Sequence, residues 1–481
     1  MECVRVENYI NGEFVTSSLN TMDVKSPSDG STIASVVLST KVEVEQAVQG
    51  AKIAQKNWKK LSYKQRAKFF FKYLVLLEDN REDLALCIQK ENGKSLIDAN
   101  AEVDKAIELC EFACSIAQDD VHAISEVSTG ITCSEQRRPL GIVSSISPFN
   151  FPIMVPHWTV LNAMMMGNAV ILKPSEMTPL SASKMAKLFK QAGFPDGIFS
   201  VINGAKDAVE AICDHEDIKA LSFVGSTPVA KIVYKRATSN LKRALCLGGA
   251  KNFLILTPDA EPKMAVSDII ASFSGMNGQR CMAASVLVAV GNCDHIISQV
   301  VSAVKEISND ENLAPVISNA AVTNLTTYMQ KAQTTGAKIL VDGSQYKTDK
   351  KGYYTAPSII DYREGGRMEK EEVFGAVLEI KGAQSLEEAL SEQNNSPYGN
   401  GTSIFTQSGK VSEDAVRELE AGMIGVNIGI PVPREPFSFG GIKDSKFGYG
   451  DITGKQSLNF WSDLIKVTTK YSGENKIDWM S

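Results

Sequence analysis

The chain has 481 residues, 43% apolar and 22% charged, with a net charge of -6. That length exceeds what one hydrophobic core organises, so two or three domains are expected. The acidic balance, without a Lys/Arg block, argues against nucleic acid as partner, and no apolar run reaches the roughly 18 residues that span a bilayer.

Residues 9 to 15, YINGEFV, read as a β-hairpin, because Asn11-Gly12 tolerates the positive φ of a type I′ turn. From about Val42 to Ala117 the period is helical, with Val44, Ala47, Val48, Ala51, Ala54 and Trp58 on one face. Gly93 and the residues around Asn80 divide that region into several helices. Val121 to Arg138 is short, polar and β-rich, and LIKVTTKY at 464–471 is its counterpart. The two form a small extension whose strands pair with each other or with another subunit. From Gly141 the rhythm is alternation. GIVSSISP, NAVILKPS, GIFSVING and IKALSFVGS read as strands, and TPLSASKMAKLFKQAG sets Leu180, Met185, Leu188, Phe189 and Ala192 on one helical face. Residues 250 to 440 repeat the style with KNFLILTP, ASVLVAVG, AKILVDG and GVNIGIPVP. Such alternation implies an α/β fold, parallel sheets with helices on both faces.

The nine cysteines are odd in number, scattered and free of CxxC spacing, which points to reduced thiols in a cytoplasmic setting. The four histidines, His122, His157, His215 and His295, fall in no metal-ligand spacing, so no metal is expected. The opening MECVRVENYING has no apolar h-region and is not Arg-rich, so no signal or transit peptide is expected.

GxGxxG and GxxxxGK[ST] are both absent. FVGSTPVAK runs from strand to helix through Gly225 and Ser226, where free N–H groups would suit a pyrophosphate; an ordinary junction capped by Ser226 or Thr227 fits it as well. ILKPSEMTP ends a strand with Lys173 and Glu176, placed to reach ribose hydroxyls or, alternatively, solvent. A carboxylate there would repel the extra phosphate of NADP, which favours NAD. In SPFNFP, Asn150 is a candidate oxyanion donor or a plain turn residue. In MNGQRCMAAS, Cys281 has small neighbours that leave room for substrate, and Arg280 nearby favours a thiolate; buried cysteine as small apolar filler is the alternative.

Together these stretches resemble the aldehyde dehydrogenase superfamily. SPFNFP, NAVILKPSE, SFVGST, LGGAKN, GQRCMA, EEVFGAV, GVNIGIPVP and PFSFGGIKDS occur in the family's order and spacing between Ser147 and Ser445. GQRCM, LGGAKN, SFVGST and VNIGIPVP are similar to the CoA-acylating methylmalonate-semialdehyde dehydrogenase branch. The resemblance implies a Rossmann-type NAD-binding domain (1–119 and 139–249), a catalytic domain (250–440) and oligomerisation strands (120–138 and 460–481) of a homodimer or homotetramer. It implies Cys281 as nucleophile and Asn150, with the Cys281 backbone N–H, as oxyanion hole. Ser147, Phe149, Lys173, Glu176, Gly225 and Ser226 would contact NAD, and Glu372 and Phe374 its nicotinamide end.

Hydrolytic members carry a glutamate just before LGG, whereas here Cys246 stands there. A thiol of ordinary pKa, about 8.5, is a poor base for water, so CoA is the expected acyl acceptor and a free acid the alternative. Lys105 replaces an arginine thought to bind the substrate carboxylate, which keeps the charge but loses the bidentate fork. Ala376 stands where proline is usual. Arg434 is either a second anion contact or a surface residue paired with Glu435. A catalytically silent binding relative is the third reading, against which the intact Cys281, Asn150, Lys173 and Glu372 argue.

Overall fold

The computed structural model describes residues 4–16, 19–118, 123–308 and 313–471; His122, the start of the β extension and the end of the C-terminal segment fall outside them. The hairpin forms as expected, Asn8–Ile10 against Glu13–Val15, with Asn11 at φ 53° and Gly12 at φ 83°. Four helices follow: Lys41–Trp58, Tyr63–Asp79, Arg81–Asn92 and Leu96–Ser115. Asn80 separates the second from the third, and Gly93, at φ 83°, ends the third. The first buries the expected stripe, except that Gln55 is buried and Ala54 only partly so. Gln55 is tolerated there because its amide donates to Gly167 O at 3.2 Å.

The first sheet has eight strands. Its parallel centre runs, in space, Arg243–Leu247, Ile218–Val224, Ile142–Ile146, Ala169–Lys173, Phe199–Val201. The first of these in the chain, Ile142–Ile146, lies in the middle, with later strands added on both sides. Strand order therefore reverses beside it, and the crevice at the strand C-termini there is where open α/β sheets bind ligands. Helix Met154–Met165 leaves that crevice and is apolar nearly all round, as a helix buried on every side must be.

The second sheet has seven strands in the order Lys338–Val341, Ser358–Asp361, Val377–Ala383, Ala284–Val290, Asn252–Leu256, Gly401–Phe405, Met423–Val426. Two expectations need correction. Lys338–Val341 is an antiparallel edge strand, not part of the parallel set. GVNIGIPVP is a strand only up to Val426, because Asn427 turns at φ 54° and breaks the extended run.

The small extension is a three-stranded antiparallel sheet, with Ile131–Pro139 between Ala123–Ser128 and Ser462–Lys470. Every residue of Ala123–Ser128 is exposed. Among the described residues no helix is long and apolar enough to cross a membrane.

Candidate active site

The C-terminal edge of the first sheet faces the N-terminal edge of the second across a cavity of about 760 Å³. The strand ends and the loops leaving the first sheet supply Ser147 to Asn150 after Ile146, Lys173 as the last strand residue with Glu176 beyond it, and Gly225 and Ser226 after Val224. Loops entering the second supply Gly249 before Asn252, Cys281 before Ala284, and Glu372 and Phe374 before Val377. Every nucleophile, oxyanion and cofactor candidate named from the sequence thus lines one cavity. Lys105 and Arg434 do not.

The loop holding Cys281 is set by its backbone. Met276, Asn277 and Gly278 have φ of 53°, 50° and 71°, a left-handed run that costs the two non-glycine residues energy and turns the chain sharply. A Cβ on Gly278 would lie 2.2 Å from Gly375 C, so this turn packs directly on the loop of Glu372 and Phe374. Cys281 O accepts from Asn252 Nδ2 at 2.9 Å and Asn400 Nδ2 at 3.0 Å. Asn150 is buried, and its Nδ2 donates to Gln279 O at 3.0 Å, tying the oxyanion candidate to the loop of Cys281.

The expected help from Arg280 is weak, because its guanidinium turns away to donate to Ala271 O and Ser272 O. Burial pushes the Cys281 thiol up to about 12, the Glu372 charge adds to this, and backbone N–H groups and Arg280 only partly oppose it. Burial also pushes Glu372 up to about 7, against the hydrogen bond it accepts from Ala250 N at 3.0 Å. Burial works to raise Glu176 as well, but the Lys173 ammonium, 2.9 Å away, outweighs it and holds the carboxyl below its usual range.

Ser226 starts helix Thr227–Ser239 without a side-chain cap, so the capping alternative does not hold. Thr227 Oγ1 instead accepts from Gly249 N at 2.8 Å, a link the sequence did not suggest. Val229, Ile232 and Val209 line an apolar part of the cavity between two helices. They escaped the sequence reading because each looks like ordinary helix packing. Ser147 Oγ is buried, has no hydrogen-bond partner and lines the cavity. A buried orphan hydroxyl costs free energy until a ligand meets it.

Cys246 is fully buried in strand Arg243–Leu247, between Phe223 and Phe447, and burial drives its thiol far above the ordinary value. Lys105 Nζ lies 2.7 Å from Glu435 Oε2 and 3.0 Å from Glu108 Oε2. Arg434 is exposed and pairs with Glu108 at 3.3 Å, not with Glu435.

A model of the aldehyde dehydrogenase family matches residues 14–467, and the chain belongs to that family. It is 40% identical over 480 residues, 98% of each chain, to malonate-semialdehyde dehydrogenase 1 of Geobacillus kaustophilus. A malonate-semialdehyde dehydrogenase of Lacticaseibacillus casei is 40% identical over 476 residues, 97% of each. Among solved structures, a Sinorhizobium meliloti protein assigned as a methylmalonate-semialdehyde dehydrogenase and complexed with NAD superposes with a TM-score of 0.94 at 36% identity, over 98% of both chains. The methylmalonate-semialdehyde dehydrogenase of Oceanimonas doudoroffii gives 0.94 at 35% identity, over 98% of this chain and 99% of that one.

Proposed function

We propose that this chain oxidises a short aldehyde bearing an anionic group, such as malonate or methylmalonate semialdehyde, with NAD as cofactor, and passes the acyl group to CoA. The observation that carries this is the convergence of Cys281 and Asn150 with the NAD-type contacts in one cavity, while a buried thiol occupies position 246. The family and its similar relatives support the aldehyde chemistry.

The residues fit NAD. The orphan Ser147 hydroxyl and the uncapped N-terminus at Ser226 offer donors for phosphate or ribose oxygens, and Lys173 and Glu176 offer ribose partners. Phe374 stands edge-on to Phe149, their centroids 5.9 Å apart, and with Glu372 it would hold the nicotinamide end. Lys173 being paired with a carboxylate, rather than left open to a phosphate, favours NAD over NADP.

The Cys281 thiol gives up its proton to solvent, its Sγ thiolate adds to the aldehyde carbon, and the resulting oxyanion is met by the Asn150 amide and the Cys281 backbone N–H. NAD, when bound, supplies the hydride acceptor that turns this adduct into a thioester on Cys281. The thiolate of CoA then attacks the thioester carbonyl, forming acyl-CoA and returning Cys281 as the leaving group. Residue 246 offers no base for water. Glu372, near 7 and acting on the Cys281 thiol, favours a second reading in which water is activated and a free acid leaves. Product analysis with and without CoA separates them: full-rate, CoA-independent turnover to the free acid overturns the acylating reading. Residues 1–119 and 139–249 would hold NAD, 250–440 the nucleophile, and 120–138 with 460–481 would join subunits of a homodimer or homotetramer.

A further inference from the structure

Beyond the groups that touch substrate lies a pair that touches only the loop carrying one of them. Lys94 Nζ sits 2.6 Å from Glu102 Oε2, with the two side chains 1% and 0% exposed. The same ammonium donates to Asn150 O at 2.8 Å and lies 4.4 Å from the centre of the Phe151 ring. Glu102 Oε1 accepts from Ile153 N at 2.8 Å and Met154 N at 3.0 Å. Between them the two side chains grip residues 150 to 154, the turn joining the end of the first sheet's central strand to helix Met154–Met165. A neighbouring bond, Asn92 Nδ2 to Phe149 O at 2.9 Å, holds the residue before it.

An ion pair this deep is an expensive way to stabilise a fold, since apolar residues of like volume commonly do as well or better. What it does well is fix geometry, because the ammonium donates to both Glu102 and Asn150 O while both carboxylate oxygens accept. Asn150 is clamped at both ends: its carbonyl by Lys94 and its amide by Gln279 O. We propose that Lys94 and Glu102 are positioning residues for the oxyanion donor, acting on the reaction through Asn150 and not through substrate or cofactor. This rests on the assignment of Asn150 under the proposed function.

The test is a double-mutant cycle in the full-length protein. Lys94→Met is made together with Glu102→Gln, so that no lone charge is left buried. A displacement of order 1 Å at a catalytic group costs about 100-fold, so kcat should fall about that far, with the Kd for NAD and the KM for aldehyde within about threefold of the parent. Placed on Asn150→Ala, the same pair of changes should cost less than about threefold, since the group they position is gone. Lys94→Arg, which keeps charge and donors, should recover at least about tenfold of the loss. Parental kcat in the double variant, or losses that multiply in full on Asn150→Ala, overturn the proposal. If the double variant does not fold, Glu102→Asp, which keeps both charges but draws the carboxylate back by one methylene, carries the test, with an Asn150-dependent loss of about tenfold expected and parental kcat again overturning it. Parental kcat in Asn150→Ala by itself has a different meaning: it refutes the oxyanion assignment.

Discussion

In the ligand-free protein the Cys281 thiol should be markedly unreactive for a nucleophile, and relieving the Glu372 charge should wake it. With the thiol pushed to about 12, the thiolate fraction at pH 7.5 is on the order of 3 × 10⁻⁵, against about 0.1 for a thiol of pKa 8.5. That is a deficit of about 3.5 decades. A more basic thiolate is intrinsically a better nucleophile, by roughly 0.4–0.5 decade per pKa unit, which returns about 1.6 decades. Iodoacetamide should therefore label Cys281 about 100-fold more slowly than an exposed cysteine. Peptide mass mapping across pH 6 to 10 reads this site apart from the other cysteines. The labelling rate should climb throughout with no plateau. Between pH 6 and 8 it should climb by less than tenfold per unit, because Glu372 ionises near 7 and its charge raises the thiol further. In Glu372→Gln that shallow stretch should vanish and the rate at pH 8 should rise, about tenfold in thiolate for each pKa unit relieved. A plateau near pH 8, or a Glu372→Gln rate no faster than the parent's, would refute the reasoning.

Gly249→Ala should weaken NAD binding about 10- to 100-fold in a calorimetric titration with Tm little changed, because the added Cβ would sit 2.3 Å from Glu372 Oε2 and displace that carboxylate from Ala250 N. Glu435→Gln should lower KM for an anionic semialdehyde several-fold and leave KM for propanal unchanged, since it removes one of two carboxylates that neutralise Lys105; equal shifts for both aldehydes would remove Lys105 from substrate recognition. Glu91 is fully buried and raised to about 7 while accepting from Leu180 N and Ser181 N. Its folded form holds a proton more tightly than the unfolded chain, so its contribution to stability is present at low pH and is lost as pH rises from the unfolded value, about 4.3, through about 7. Between pH 5 and 7, Tm should fall less or rise more in Glu91→Gln than in the parent.

Much of this molecule is legible locally. The hairpin at Asn11-Gly12, the helix break at Gly93 and the alternation from Gly141 depend on φ preferences and side-chain period, which neighbours in the chain already decide. Cys281, Asn150, Lys173 and Glu372 could be singled out because strand ends and small-residue loops mark where α/β sheets bind ligands, and because the motif order resembles a family. Where local rules failed, a partner distant in sequence was responsible. Arg280 adjoins Cys281 in the chain, yet its guanidinium is claimed by the carbonyls of Ala271 and Ser272. Arg434 adjoins Glu435, yet the two pair with Glu108 and Lys105 on a helix more than 300 residues earlier.

Residue order alone therefore determined the α/β class, most elements, and the list of candidate groups that the structure gathers in one cavity. Their electrostatic state was decided only when two sheets met edge to edge. Charge and desolvation act through space, so the acidity of Cys281 depends on burial and on Glu372, which lies 91 positions away in the numbering and lines the same cavity. The grip of Lys94 and Glu102 on the turn that carries Asn150 is of the same kind. Neither residue belongs to a recognisable motif, and their effect exists only because the stretch from Lys94 to Glu102 folds against a turn about 50 residues later in the chain.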